Sequence, residues 1–132
     1  MDCCQCHGIE AQFDQAEAER KLREYRRRGP TPTTRILLDA LLAENIQGLT
    51  LLDIGGGIGA IQHALLKAGV SCAVDVDASS AYLSAAKTEA ARQGHLECVS
   101  YHRGNVVDLA NGMAPADIVM LDRVICCYQA LT

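Results

Sequence analysis

Tryptophan is absent from this sequence, phenylalanine occurs once, and aromatic residues make up only 4% of its 132 positions. A core without large rings has to be built from Leu, Ile, Val and Ala, which suits helices packed on parallel strands. No apolar run approaches the roughly eighteen residues that a membrane-spanning helix needs. The first residues, Met1-Asp2-Cys3-Cys4-Gln5-Cys6-His7, carry neither a basic nor an apolar stretch, so no secretory leader is expected. Positive charge is not in excess either. The net charge is −4, which argues against nucleic-acid binding by electrostatics.

What is present describes one globular domain. Apolar residues make up 49% and charged residues 21%, and a chain of this length buries roughly two-thirds of its unfolded surface. Seven cysteines are an odd number. Without a leader they read as reduced thiols in a cytoplasmic protein. Cys3, Cys4, Cys6 and His7 are too closely spaced for good tetrahedral geometry, so no metal site is expected. The reading there is a flexible, cysteine-rich arm over residues 1–8, with Cys72 and Cys98 as core thiols and Cys126-Cys127 ending a strand.

Two helices are expected over residues 9–48. Ile9, Phe13, Ala16, Ala18, Leu22 and Tyr25 recur at helical spacing on one face. Gly29-Pro30-Thr31-Pro32 breaks that helix, and Thr31-Pro32 supplies an N-cap and a first-turn proline for the next. Arg20, Lys21, Arg23, Arg26, Arg27 and Arg28 read as a solvated face that complements the helix dipole. From Leu49 the period changes. Strands are expected at Leu49–Ile54, Val70–Val76, Cys98–His102 and Asp117–Leu121. A helix with Ile61, Leu65 and Leu66 on one face, stopped at Gly69, follows the first strand. Another, capped by Ser79 or Ser80 and ended at Gly94, follows the second. Strands alternating with such helices predict a parallel sheet of about four strands, a Rossmann-like α/β domain over residues 49–132.

The most informative stretch is Asp53-Ile54-Gly55-Gly56-Gly57-Ile58-Gly59. Glycines at a strand-to-helix turn let a ligand lie against the backbone. Asp77, at the end of the second strand, stands where an acid accepts hydrogen bonds from ribose hydroxyls. The loop alone is compatible with dinucleotides too, because Gly55-x-Gly57-x-x-Ala60 satisfies an NAD fingerprint. Asp53 and Gly59 are less at home in that pattern, and a short-chain dehydrogenase would need glycine where Ile61 stands.

Asp53-x-Gly55-x-Gly57-x-Gly59 with Asp77 resembles the first motif and ribose acid of class I S-adenosylmethionine-dependent methyltransferases, over residues 35–128. The resemblance implies that Gly55, Gly56, Gly57 and Gly59 contact the methionine portion of S-adenosylmethionine and that Asp53 helps to hold its amino end. Asp77 and Ala78 would lie at the ribose. Gly104-Asn105 stands where the family often has Gly-Asp, so Asn105 would accept from the adenine amino group and the Val106 amide would face the ring. Asp122 would lie near the reactive sulfonium. Asp122, His102 and Tyr25 are the candidates for a base or a substrate-positioning group. The segment 121–128 also resembles bacterial proteins similar to magnesium-protoporphyrin O-methyltransferase.

The function implied is methyl transfer to a small-molecule acceptor, with no membrane partner. The family's fold continues for three more strands, so the edge of the fourth strand is expected to be apolar and unpaired, and a homo-oligomer would complete it. A non-catalytic cofactor-binding or assembly module is the alternative, and an NAD-dependent oxidoreductase is a third reading.

Overall fold

The computed structural model describes residues 4–122, with side chains from Gly8 onward. Its helices are α1 (Cys4–Gln12), α2 (Gln15–Arg28), α3 (Pro32–Leu42), α4 (Ala60–Lys67), α5 (Ser80–Gln93) and the short α6 (Val106–Leu109). Its strands are β1 (Thr50–Ile54), β2 (Cys72–Asp77), β3 (Val99–Arg103) and β4 (Ile118–Met120). They form one parallel sheet in the order β3-β2-β1-β4. This is the Rossmann-like arrangement expected, and each strand lies within two residues of its expected place.

Local chemistry sets the helix ends. Thr31 accepts from the Thr34 amide, and Pro32 opens α3, where its missing N–H costs nothing. Ser79 caps α5 through the Tyr82 amide, and Gly94 ends it with φ 85°, a conformation that glycine adopts freely. Two expectations fail before β1. Three helices precede the sheet instead of two, because Asp14 accepts from the Glu17 amide and starts α2 afresh. A capping carboxylate thus interrupts an apolar stripe that spacing alone reads as continuous. The first helix, α1, also begins at Cys4, inside the stretch expected to be a flexible arm.

One face of the sheet holds the main apolar core. Leu51, Ala73, Ile118 and Met120 point into a core with Leu38 of α3 and Ile61 and Leu65 of α4. Helix α4 packs on β1 and β2, α5 on β2 and β3, α3 against α4, and α2 against α5. Side chains alternate along a strand, so Leu52, Val74 and Val119 face the other way. They sit in one register across the sheet, and Val119 is 50% exposed. Strand β4 pairs only with β1 among the described residues, leaving an edge there. Cys72 and Cys98 are exposed, not core thiols, because Cys72 opens β2 and Cys98 immediately precedes β3, both at the sheet's amino end. Among the described residues no helix is long and apolar enough to cross a membrane.

One polar clasp ties α2 to α5. Glu89 is fully buried and accepts from Arg26 at 2.8 Å, Arg92 at 2.6 Å and Gln93 at 2.8 Å. Burial works against its charge, yet these donors prevail and bring its carboxyl down to about 2. A carboxyl lowered on folding stabilises the fold above its unfolded pKa, and that contribution disappears as pH falls toward the folded value. Replacing Glu89 with Ala should cost about 1–3 kcal/mol at neutral pH, since the donors lose a charged acceptor. Thermal melts should show the difference between variant and wild type narrowing as pH falls from about 5 toward 3.

Candidate functional site

A cavity of about 920 Å³ opens at the carboxyl ends of β1 and β2, lined by Asp53, Gly55, Gly56, Gly57, Asp77 and Asp122 among others. This is the end at which open parallel sheets bind ligands. The loop between β1 and α4 makes one wall. Its Gly57 has φ 58°, and a side chain there would meet nothing within 4 Å. Gly56 is the opposite case. A Cβ on it would lie 2.6 Å from Gln62 Nε2, 2.7 Å from Asp53 Oδ2 and 3.0 Å from Asp75 Oδ1.

Those three side chains form a polar layer beneath the loop. Asp53 is 1% exposed, and its Oδ2 accepts from Gln62 Nε2 at 3.0 Å. Burial pushes its carboxyl up to about 7 against the Gln62 amide, with the Asp77 and Asp122 charges adding to the rise. Asp75 is paired with Asp53 across the two strands. It is fully buried, and burial followed by the Asp53 charge raises it well above the usual carboxylate range. Asp77 stands at the end of β2, accepting from the Gly57 amide at 3.1 Å and the Ser79 amide at 2.9 Å. Burial raises its pKa, and those amides oppose the rise.

Segments remote in sequence supply the other walls. Helix α1 is strapped over the end of β2: Glu10 accepts from the Ser80 amide and hydroxyl at 2.7 and 2.6 Å and pairs with Arg103 at 2.5 Å. The Phe13 carbonyl accepts from Ser79 Oγ at 2.6 Å, and the Phe13 ring packs on Tyr82. Across the cavity, Thr34 of α3 donates to Asp122 Oδ2 at 2.5 Å. Behind the loop, fully buried His63 contacts the Ile58 carbonyl through Nε2 at 2.9 Å and His95 through Nδ1 at 2.8 Å. A carbonyl only accepts, so Nε2 carries the His63 proton and His95 donates to Nδ1. Burial lowers His63 to about 4, so the pair stays neutral and braces the loop.

Of the residues expected to contact a cofactor, the cavity gathers Asp53, Gly55, Gly56, Gly57, Asp77 and Asp122. Gly59, Ala78, Asn105 and Val106 are not in its lining. Gly59 precedes α4 with φ 86°, and a Cβ there would meet His63 at 2.9 Å, so its smallness makes room for the histidine. The Asn105 side chain caps α6 through the Val107 amide at 2.8 Å. Among the base candidates, Tyr25 and Asp122 line the cavity, whereas His102 is exposed on β3 outside it. The cysteines of the first residues and Cys126-Cys127 lie outside the residues whose side chains are described. Gln62, His63, Asp75, Thr34 and Glu10 went unread in the sequence. Only Asp75 carried a signal, as a carboxylate in the middle of an otherwise apolar strand.

Substituting Ala at Gly56 tests whether the buried layer dictates that glycine. The added methyl has to displace two fully enclosed side chains, so a loss of about 1–3 kcal/mol in stability is expected. A melting temperature equal to that of the wild type would show that the layer is loose.

Comparison with known proteins agrees with this geometry. A family described as O-methyltransferase domain matches residues 3–130. Ribosomal protein L11 methyltransferase of Photorhabdus laumondii is 31% identical over 93 residues, covering 69% of this chain and 31% of its own. The O-methyltransferase TomG of Streptomyces achromogenes, involved in tomaymycin synthesis and solved with its cofactor SAM, superposes with a TM-score of 0.61. It is 25% identical, and the match covers 82% of this chain and 52% of TomG. Protein arginine methyltransferase 10 of Arabidopsis thaliana shares the fold at 22% identity and a TM-score of 0.54, over 62% of this chain and 24% of that one. The chain thus spans about a third to a half of the first two relatives.

Proposed function

Because the chain belongs to the O-methyltransferase domain family, we propose that it binds S-adenosylmethionine at the carboxyl ends of β1 and β2 and serves methyl transfer to a small-molecule acceptor. The observation that carries this reading is the pairing of an open Gly57 with a buried Asp77 in one cavity. Each Asp77 oxygen accepts one backbone amide, and a carboxylate oxygen has a second lone pair. The residue is therefore held rigid while keeping acceptor capacity for a vicinal diol. Asp53 and the glycine backbone fit the amino-acid end of the cofactor. When bound, the cofactor supplies an electrophilic methyl group on a sulfonium.

The protein's part is then alignment and proton handling. Phe13, Ile9 and Tyr82 line the cavity and keep water from one side of it. Asp122, oriented by Thr34, is our candidate to accept a proton from a hydroxyl acceptor. Tyr25 lines the same cavity, with its hydroxyl accepting from Gln93 at 3.2 Å, and is our candidate for positioning the acceptor. His102 has no such place. The relatives differ in acceptor, since one is named for a ribosomal protein, one for arginine in proteins and one for tomaymycin synthesis. The apolar side chains of Ile9, Phe13, Ile36 and Ile61 in the lining suit a small, largely apolar acceptor. A cofactor-binding module that works only within a larger assembly is the second reading, favoured by Val119, exposed on a strand that pairs on one side only among the described residues.

Calorimetric titration with S-adenosylhomocysteine tests the cofactor assignment. Saturable binding is expected, weakened roughly 10- to 100-fold in an Asp77→Ala variant, which removes a charged acceptor. A folded wild-type chain that gives no heat of binding would sink the assignment.

A further inference from the structure

Asp75 lies beneath the glycine loop and outside the cavity lining. It is fully buried, and neither carboxyl oxygen has a hydrogen-bond partner. The Gln62 side chain and the Gly56 amide lie on the side that favours its anion, but neither completes a bond to it. An ionised carboxylate left so would cost several kcal/mol. Its described titratable neighbours supply no positive charge, and the carboxyls among them raise its pKa further. Asp53 faces it from β1, Asp77 follows two residues on along β2, and Tyr101 faces it from β3 with a buried hydroxyl that also lacks a partner. The nearest cation in this group, Lys87 of α5, sits over the Tyr101 ring, 5.3 Å from its centroid. Among the described residues no cation pairs with Asp75.

A carboxylic acid, unlike a carboxylate, has an O–H to donate. The nearby acceptor is Asp53, since Asp53 Oδ2 and Asp75 Oδ1 lie 2.7 and 3.0 Å from the same point above Gly56. We propose that Asp75 is a neutral acid in the working protein, donating its proton toward Asp53 and holding Asp53 as a single, oriented anion for a cationic group. Asp75 is thus a positioning residue that acts through Asp53, with the Gln62 amide as the second donor. The pair carries one negative charge and one proton. Acid adds a second proton, abolishes the charge, and weakens the hold on a cation. Naming the cofactor's ammonium as that cation rests on the function proposed above, whereas the protonation of Asp75 does not.

Two measurements separate these claims. Carbon-13 NMR of the aspartate carboxyls in the cofactor-free chain should show one carboxyl still protonated at about pH 7, missing in Asp75→Asn. Finding every aspartate ionised there overturns the proposal. In the second, S-adenosylhomocysteine binding is followed calorimetrically between about pH 5.5 and 7.5. Affinity should fall toward acid in the wild type. Asp75→Asn, which replaces a neutral donor by a neutral donor, should follow the same profile. Asp75→Ala should lose on the order of tenfold in affinity at neutral pH and shift its midpoint upward. If Asp75→Asn instead shifts the midpoint downward, Asp75 was a like charge and the proposal is wrong. Absence of binding with a protonated carboxyl present in the NMR spectra would overturn the cofactor assignment and leave the neutral acid standing.

Discussion

The glycine turn between β1 and α4 lies directly on a layer of buried polar side chains, and most of the site follows from that contact. Gly56 rests on Gln62, Asp53 and Asp75, where no Cβ has room. The turn is held from behind by His63, whose ring proton is committed to the Ile58 carbonyl and whose other nitrogen is committed to His95. Burial of this layer raises the carboxyl pKa values below the loop, because water is kept from them and little positive charge takes its place. The loop's open face, at Gly57, is what remains for a ligand.

Around that turn the walls come from helices that precede the sheet. Glu10 and Phe13 of α1 and its end reach Ser79 and Ser80 at the start of α5, while Thr34 at the start of α3 reaches Asp122 after β4. Each contact is made by a short polar side chain at a helix start or strand end, where backbone groups lack regular partners. The cavity walls are therefore joined by residues that also sit at the starts of helices, Ser79 capping α5 while donating to the Phe13 carbonyl. Glu89 does for α2 and α5 what these do nearer the site, so the outer helices are tied down by polar clasps as well as by apolar packing.

The acceptor side is governed by a different constraint. Leu52, Val74 and Val119 form an apolar row on the face of the described sheet opposite the main core, buried toward its carboxyl end at Ile54 and Val76 and exposed at Val119. The chain matches about half or less of the length of several relatives. Helices α1, α2 and α3 supply the remaining described walls of the cavity.

Local order was legible in the sequence because it is set locally. The alternation of strands and helices, the Thr31 and Ser79 caps, the Gly94 stop and the Asp53-to-Gly59 loop all follow from periodicity and from single residues whose conformational preferences are strong. Asp14 was the exception, a cap hidden within an apolar stripe. The site was half legible: Asp53, the loop glycines and Asp77 could be read, as could Asp122 through its place after the fourth strand. Only the tertiary structure decided that Gln62 and Asp75 lie under Gly56, that His63 meets His95, that α1 straps the cavity, and that His102 and Asn105 lie outside its lining. Those outcomes depend on register between strands and on contacts across more than thirty residues in most cases. A sequence names the groups, but burial and pairing, which set their charge and direction, exist only once the strands lie side by side.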